Sequence, residues 1–403
     1  MKSLSIALFV IFSFINSGIS QTYFPGSTKD WERRSPEQMG LLADSIQAAI
    51  DYAQSQESES PKNLEVNHYL GFGREPFGDG VGPFKTRGPQ TGIILKDGYI
   101  IAEWGEPSRV DMTFSVTKSF LSATVGLAYD QGLIQDVHDL VADYMAPVMP
   151  LDQPRGRNKS DHIGEEMVIE PFISEHNAKI TWNHLLRQTS DWQGTLWGKP
   201  DWADRPSGER SEWITRARNE PGSTYEYNDT RVNLLALAAT NIWRKPLPQI
   251  LKKYVMDPIG ATSTWRWMGY ENSWIIMDGL AVQVPSGGGH WGGGMFINAY
   301  DQARFGYLTL NRGKWNEQQI LSEEWVKMSL TQTTANTSYG FMNWFLNTDK
   351  KMLPSAPESS FFHLGAGTNM VYVDPEHNLV IVARWINKSA MDGVVRRVIQ
   401  SIK

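Results

Sequence analysis

The chain has 403 residues, of which 41% are hydrophobic and 20% are charged, and its formal net charge is −6. This length allows a large buried core, and 16 Trp, 16 Phe and 14 Tyr residues argue against a disordered chain. Because the net charge is mildly negative and no Lys/Arg-rich run is present, the composition argues against a nucleic-acid-binding protein. The absence of cysteine excludes disulfides, thiolate metal ligands and cysteine nucleophiles.

The first twenty residues have the pattern of a signal peptide. Lys2 supplies a positive charge, residues 6–15 form an apolar run, and Gly18 and Ser20 are small residues where a signal peptidase needs them. The apolar run is short for a membrane span, so cleavage near Ser20 is favoured over retention as a membrane anchor. The sequence therefore predicts a secreted or periplasmic protein without a stable membrane anchor.

The next elements are a helix over residues 36–54 and an irregular, Gly- and Pro-rich segment over residues 56–90. Residues 91–104 predict a β-hairpin, because two apolar runs flank Asp97-Gly98 and Asp-Gly is a strong turn signal. Residues 114–131 predict a buried helix, which Gly132 ends.

Helices and long loops are expected between residues 136 and 285, followed by a helix over residues 299–310. Two apolar strands, 369–373 and 379–385, flank a turn, and a final helix begins at about Met391. Strands near both ends predict an α/β (α+β) fold, in which one antiparallel sheet is flanked by helices and an all-α domain is inserted. The predicted domains are a sheet domain over 21–112 and 286–403 and a mainly helical domain over 113–285.

Ser115 and Lys118 form the first motif that carries chemistry. If a helix begins near Ser115, a residue three positions later lies on the same face, which brings the amine beside the hydroxyl. A Lys whose pKa is lowered by desolvation can remove the hydroxyl proton, and the helix N-terminus offers N–H groups to an oxyanion. A Ser-x-x-Lys also arises by chance, in which case Ser115 is an ordinary helix cap.

Tyr227 lies on a loop or short strand end after a Pro-Gly turn at residues 221–222. A phenol next to Lys118 would have its ionised form stabilised, which suits it to act as a base or a proton relay. The alternative is a packed surface tyrosine.

His363, Gly365 and Ala366 precede the apolar strand that begins at Asn369. Small residues at a strand edge let a substrate approach the backbone, and an N–H group there can complete an oxyanion hole. The alternative is a Gly-rich loop with an incidental His.

Together, Ser115-x-x-Lys118, Tyr227-x-Asp229 and His363-x-Gly365 resemble the three motifs of the penicillin-recognising serine hydrolases in order and spacing. The similarity is greatest to the class C β-lactamase branch, which includes family VIII carboxylesterases and 6-aminohexanoate-dimer hydrolases. It extends over residues 35–403 and includes flanking segments at 180–190, 292–296, 303–305 and 339–341.

The resemblance implies a site between a sheet domain and an inserted all-α domain. Ser115 would be acylated, and Lys118 and Tyr227 would share the proton transfers. The N–H groups of Ser115 and Ala366 would form the oxyanion hole, and water would then hydrolyse the acyl-enzyme. Substrate-binding positions implied by the motifs are Asp229, His363, Gly365 and Ala366.

Two departures from the family pattern bear on activity. Asp229 stands where the branch usually has Asn, and a carboxylate there would favour charged Lys118 and leave more of the proton transfer to Tyr227. His363 stands where β-lactamases and transpeptidases often carry Lys, and a neutral His is a weaker receptor for a substrate carboxylate. The first hypothesis is therefore hydrolysis of esters or amides of small substrates.

The alternative functions are a β-lactamase or D-Ala-D-Ala carboxypeptidase and a catalytically silent binding homologue, towards which Asp229 points. No cofactor or metal site is predicted, because the eight His residues are scattered and form no His-Glu-x-x-His pattern. Asn228-Asp229-Thr230 is a glycosylation acceptor within the predicted site, so a bacterial periplasm or exterior fits better than a eukaryotic secretory route.

Two further segments were open to more than one interpretation. The Gly-rich run over residues 286–294 is either a rim of the active site or a simple linker, and it lacks the pattern of a phosphate-binding loop. Trp192, Trp197 and Trp202 fit core packing, or alternatively the lining of a pocket for an aromatic acyl group or a sugar.

Overall fold

The structure is a computed structural model, and it describes residues 22–27, 30–151 and 168–403. The predicted signal peptide lies outside the described residues. Within them, no helix is both long and apolar enough to span a bilayer.

The strands of four or more residues belong to the two larger sheets, and the remaining strands have two residues each. In chain order they are β1 (Thr91–Lys96), β2 (Tyr99–Trp104), β3 (Asp111–Met112), β4 (Met149–Pro150), β5 (Thr195–Leu196), β6 (Lys199–Pro200), β7 (Arg266–Met277), β8 (Leu280–Pro285), β9 (Gly294–Ile297), β10 (Lys314–Trp315), β11 (Gln318–Gln319), β12 (Phe345–Leu346), β13 (Phe361–Gly365), β14 (Asn369–Asp374) and β15 (Leu379–Arg384).

The described residues form nine α-helices. In chain order they are α1 (Ala43–Ser55), α2 (Leu64–Leu70), α3 (Thr117–Asp130), α4 (Trp182–Leu186), α5 (Asp229–Trp243), α6 (Leu247–Leu251), α7 (Ala299–Leu310), α8 (Glu323–Ser329) and α9 (Met391–Ile399).

The main sheet draws its strands from both parts of the chain, in the order β12-β13-β14-β15-β1-β2, and every pair is antiparallel. Strand β1 pairs with β15 from Thr91 opposite Arg384 to Lys96 opposite Leu379. The prediction of a mixed α/β fold with an antiparallel sheet from both chain ends is confirmed. The predicted hairpin is also present, and its turn needs residues with positive φ, here Asp97 (52°) and Gly98 (86°).

The alternation of side chains along these strands buries both faces of the sheet. One face, which includes Ile94 and Ile381, packs against α1 and α9, and the other, which includes Ile93 and Val382, joins the core that contains α3 and α7. Helix α1 begins at Ala43, later than predicted, because residues 37–39 form a separate 3₁₀ turn that ends at left-handed Gly40.

A second sheet, in the order β3-β9-β7-β4 with β8 beside β7, lies next to the first. Buried Arg384 joins the two sheets by donating to the carbonyl groups of Met112 at 2.9 Å and Ile297 at 2.8 Å. The region predicted as mainly helical, residues 113–285, contains α3 to α6 but also strands β4 to β8. Helices α3 and α5 pack against each other there, and both are almost completely buried.

Candidate active site

Ser115 and Lys118 meet at the start of helix α3. Residues 114–116 form a 3₁₀ turn that leads into the helix, and the Lys118 Nζ lies 2.9 Å from the Ser115 Oγ. Ser115 is half-buried, whereas the Lys118 side chain is fully buried. The helical spacing therefore brings the hydroxyl and the amine together as expected.

The backbone around Ser115 is held in an unusual conformation. Phe114 has a φ of 47°, a value that a large side chain rarely adopts. Strand β13 ends against this turn, since a Cβ atom at Gly365 would lie 2.1 Å from the Thr113 carbonyl oxygen and 3.2 Å from the Ser115 nitrogen. Gly365 thus allows β13 and the following Ala366 to approach the Ser115 amide, which is where the predicted oxyanion hole requires them.

Tyr227 is held next to Ser115 by the residues that begin helix α5. Asn228 caps that helix, and its N–H donates to the Gln188 side chain at 2.8 Å. The Glu226 N–H donates to the Gln188 carbonyl at 2.9 Å. The neighbours of Tyr227 on both sides are therefore fixed, and its phenol lies close enough to Ser115 for that hydroxyl to lower the pKa of the phenol. Lys118 and Tyr227 thus both lie beside the Ser115 hydroxyl.

Asp229 is the first residue of α5 and forms a buried ion pair with Lys118, with 2.7 Å between its Oδ1 and the Lys118 Nζ. The site thus lies where the N-termini of two buried helices, α3 and α5, meet. The positive ends of both helix dipoles stabilise negative charge there, which favours an ionised Asp229 and an oxyanion.

Arg205 binds the other oxygen of Asp229. Its Nη1 lies 2.8 Å from the Asp229 Oδ2 and 2.6 Å from the Asp204 Oδ1, and its Nη2 lies 2.8 Å from the His290 Nδ1. On its far side, the His290 Nε2 lies 2.8 Å from Glu75. A continuous network of ion pairs and hydrogen bonds therefore joins Lys118 to Glu75 through Asp229, Arg205 and His290.

Burial lowers the pKa of Lys118, an effect that Asp229 opposes and Arg205 reinforces. Burial raises the pKa of the Tyr227 phenol, with a further contribution from Asp229. Asp229 thus raises the pKa of Lys118, as the sequence leads us to expect, but burial outweighs it, and Asp229 also raises the pKa of the phenol. That Asp229 leaves more of the proton transfer to Tyr227 stays a prediction.

The Gly-rich run over residues 286–294 closes over the ion pair. A Cβ atom at Gly288 would lie 1.8 Å from the Asp229 Oδ1 and 2.3 Å from the Lys118 Nζ. The run therefore forms a wall of the site and is not a simple linker.

We expect Gly288→Ala to lower kcat/KM by about 10²-fold, because displacement of Lys118 by about 1 Å misaligns the base with Ser115. Ester hydrolysis with the purified variant measures this loss. Gly71→Ala is the matched control, since a Cβ atom there meets its nearest neighbour at 3.7 Å. Equal activity in both variants would contradict the assigned role of the run.

His363 lies in the interior of the protein and is completely buried. Its Nδ1 lies 2.9 Å from the Ser119 Oγ, and its ring packs against Phe305 and Trp344. Burial lowers the pKa of His363 to about 3, so the ring is neutral at pH 7. Its predicted substrate-binding role stays a prediction.

The buried neutral His363 should make the protein sensitive to acid. The unfolded chain binds a proton at this ring below about pH 6.5, whereas the folded chain does so only near pH 3, so the free energy of unfolding falls as the pH is lowered through this window. The loss amounts to at most about 5 kcal/mol across the whole window. Urea unfolding at pH 7 and pH 4 measures it, and His363→Gln should show a shallower pH dependence. Identical pH dependence in the two proteins would contradict this prediction.

Glu75, Asp204 and His290 are the one group of described residues whose potential metal-ligating atoms come within 4.8 Å of one another. Arg205 donates to the His290 Nδ1, so a neutral His290 carries its proton on Nε2 and donates it to Glu75. A proton in this position occupies the nitrogen that a metal would need. The cluster is therefore satisfied by its own hydrogen bonds.

A cavity of about 320 Å³ lies beside Tyr227 and is lined in part by Trp202 and Tyr225. The sequence allowed either core packing or the lining of a pocket for three tryptophans, and the structure contains both arrangements. Trp192 and Trp197 are buried in the core, whereas Trp202 lines this cavity. The cavity gives room for part of a substrate next to the reactive groups.

Sequence reasoning missed Arg205 and Asp204, although they contact Asp229 directly. Both lie in an irregular segment after Pro200, where no periodic pattern or turn signal indicates which way a side chain points. Gln188 was also missed as an individual residue, although the segment that contains it was recognised. The available signal was the adjacent pair of opposite charges, Asp204 and Arg205, in a Trp-rich segment. Such pairs are common on protein surfaces and do not by themselves indicate a functional site.

A family model described as Beta-lactamase matches residues 103–397. A relative from Escherichia coli O157:H7 is 25% identical over 339 residues, which are 72% of this chain and 76% of that protein. Its name places it provisionally among the D-alanyl-D-alanine carboxypeptidases.

Two solved structures have similar folds. EstCE1, described as a hydrolase with promiscuous acyltransferase activity, gives a TM-score of 0.54 at 14% identity and covers 89% of this chain and 98% of its own. A penicillin-binding protein homologue from Caulobacter crescentus gives 0.53 at 12% identity, with coverages of 89% and 97%. At these identities the similarity shows a shared fold alone.

Proposed function

This chain belongs to the Beta-lactamase family, and from that premise we propose that it is a serine hydrolase that cleaves ester or amide bonds of small substrates. The observation that carries the proposal is the 2.9 Å separation of the Lys118 Nζ and the Ser115 Oγ. In this proposal the reaction passes through an acyl-enzyme on Ser115.

In the acylation step, neutral Lys118 takes the proton from Ser115 as the Oγ forms a bond to the substrate carbonyl carbon. The carbonyl oxygen becomes an oxyanion, which the N–H groups of Ser115 and Ala366 stabilise. Tyr227 then donates its phenolic proton to the leaving oxygen or nitrogen as that bond breaks, and Lys118 returns its proton to Tyr227. The step ends with an ester on Ser115 and neutral Lys118.

Deacylation repeats these transfers with water in place of the alcohol or amine. Water loses a proton to Lys118, through Tyr227 or directly, and attacks the acyl carbon. Collapse of the oxyanion breaks the bond to the Ser115 Oγ, which regains its proton. The carboxylic acid product leaves, and the enzyme returns to its starting state.

The charges around Ser115 favour substrates without a carboxylate. Arg205 is paired with Asp229, Lys118 binds the same carboxylate and is neutral when it acts as the base, and His363 is buried and neutral. A β-lactam or a peptide with a free C-terminus would bring a carboxylate to a site whose cations are already paired. We therefore propose ester or amide hydrolysis outside the cytoplasm, in the compartment that the amino-terminal pattern predicts.

A D-Ala-D-Ala carboxypeptidase is the second candidate, because the E. coli relative carries that name. The test compares initial rates on a short-chain p-nitrophenyl ester, a chromogenic cephalosporin and a D-Ala-D-Ala peptide. We expect the ester to be hydrolysed fastest, with inhibition by a fluorophosphonate. Faster turnover of the cephalosporin or the peptide would favour the second candidate, and absence of turnover and of labelling would point to a silent binding protein.

A further inference from the structure

We propose that Arg205 is a positioning residue that neutralises Asp229, so that Lys118 can serve as a base although a carboxylate binds it. Without such compensation, a carboxylate 2.7 Å from an amine favours the protonated form, which cannot accept a proton from Ser115. The inference rests on the proposed function and adds a residue to it that neither the motifs nor the family comparison single out.

The geometry divides the carboxylate of Asp229 between two cations. Lys118 binds Oδ1 at 2.7 Å, and Arg205 binds Oδ2 at 2.8 Å. The Asp229 side chain is only 1% exposed and Lys118 is fully buried, so water does little to screen their interaction, whereas Arg205 is 30% exposed and its contact with Asp229 is screened in part. One negative charge thus faces two positive groups, and Arg205 remains charged at any pH at which Lys118 titrates.

Arg205 is also in contact with Tyr227. Its guanidinium carbon lies 5.1 Å from the centroid of the Tyr227 ring, and the Lys118 Nζ lies 4.6 Å from the same centroid. A second positive charge near the ring stabilises the ionised phenol that forms when Tyr227 gives up its proton. One arginine therefore acts on both groups that move protons.

Arg205 is fixed in place by the groups on its other sides. It binds Asp204 and His290 and packs over Phe72 with 5.3 Å from its guanidinium carbon to the ring centroid. Burial raises the pKa of Asp204, so Asp204 loses its charge more readily than Asp229, which Lys118 and Arg205 keep ionised. The titratable and charged groups that face the Lys118–Asp229–Arg205 cluster are Tyr225, Tyr227, Tyr270, Tyr339, Asp204 and His290, with Glu75 beyond His290.

The test is the pH dependence of kcat/KM for a short-chain p-nitrophenyl ester. Arg205→Met removes the charge and should move the acid limb to higher pH by about 1–3 units, because Lys118 then faces an uncompensated Asp229. At any pH that lies on the acid limb, the rate should fall about tenfold for each unit of the shift. Arg205→Lys keeps the charge and should leave the acid limb of kcat/KM closer to its position in the natural chain.

Rescue separates charge compensation from a merely structural role. Asp229→Asn in the Arg205→Met background removes the charge that needed compensation, so the acid limb should return towards that of the natural chain. Asp229→Asn alone should retain the fold and move the limb to lower pH, since Arg205 then acts on Lys118 unopposed. A uniform loss of rate at all pH values in Arg205→Met, without rescue by Asp229→Asn, would overturn the proposal.

A double-mutant cycle with Tm as the measured quantity tests the inference without any measurement of activity. Arg205→Met should lower Tm, and the added Asp229→Asn should raise it again, because the buried carboxylate that has lost one of its two cationic partners is removed. If the natural chain hydrolysed no ester or amide, the proposed function would fail while recovery of Tm still supported the pairing. Additive Tm changes in the double variant would refute the pairing whatever the activity.

Discussion

Ser115→Ala is expected to lower kcat/KM for ester hydrolysis by about 10⁴–10⁶-fold, the range seen when a catalytic unit loses its nucleophile or its partner. The hydroxyl is the only group in the proposed mechanism that forms a covalent bond to the substrate, so no neighbouring side chain replaces it. The fold should be unaffected, because Ser115 is half-buried at a helix start and loses a single oxygen atom. Initial rates at pH 7 measure the effect, with circular dichroism as the test of folding.

Ser122→Ala is the matched control for this variant. Ser122 lies on the same helix, α3, is fully buried, and its hydroxyl has no hydrogen-bond partner. Its removal should leave kcat/KM within a few-fold of the natural chain, since the residue contacts none of the reacting groups. Comparable activity in Ser115→Ala and Ser122→Ala would contradict the assignment of Ser115 as nucleophile.

Lys118→Met is expected to lower kcat/KM by about 10⁴-fold, close to the upper limit for loss of a general base. The Met side chain fills a similar volume, and Asp229 keeps its ion pair with Arg205, so the variant should fold. Covalent labelling of Ser115 by a fluorophosphonate should slow by a similar factor, because the same proton must leave the hydroxyl.

Lys118→Arg distinguishes a base from a simple cation. Arg retains the positive charge that balances Asp229 but cannot give up its proton at accessible pH. A loss of activity comparable with that of Lys118→Met supports a base at this position. Wild-type rates in Lys118→Arg would mean that the lysine only supplies charge.

Much of the fold could be predicted because its signals are local. Asp97-Gly98 supplies the turn of the first hairpin, and the apolar strands β14 and β15 follow from their composition. The start of α1 could not be placed, because Pro36 and Gly40 form a separate turn that continues the same apolar spacing. Strands β7 and β8 form a hairpin around Asp278-Gly279, a local signal that the prediction of a helical region overlooked. Strand β4 pairs with β7, Met149 opposite Ile276, over a sequence distance that a local pattern does not reveal.

The candidate site likewise contains some contacts that follow from local sequence and others that do not. Ser115 and Lys118 are neighbours through helical geometry alone, so their contact follows from the sequence. Tyr227 and Asp229 lie more than 100 residues away, and only the family resemblance placed them beside Lys118. Arg205 belongs to an irregular loop whose path depends on tertiary packing, so no sequence rule placed it at Asp229.

The most direct test of the whole account is the location of the acyl group in a quenched reaction. The natural chain is mixed with equal amounts of an ester and a β-lactam, stopped in acid within the first turnovers, and examined by intact and tandem mass spectrometry. The account predicts a mass increase equal to one acyl group from the ester, carried by the peptide that contains Ser115. An unmodified Ser115 together with continued hydrolysis, or an adduct on another residue, would contradict it.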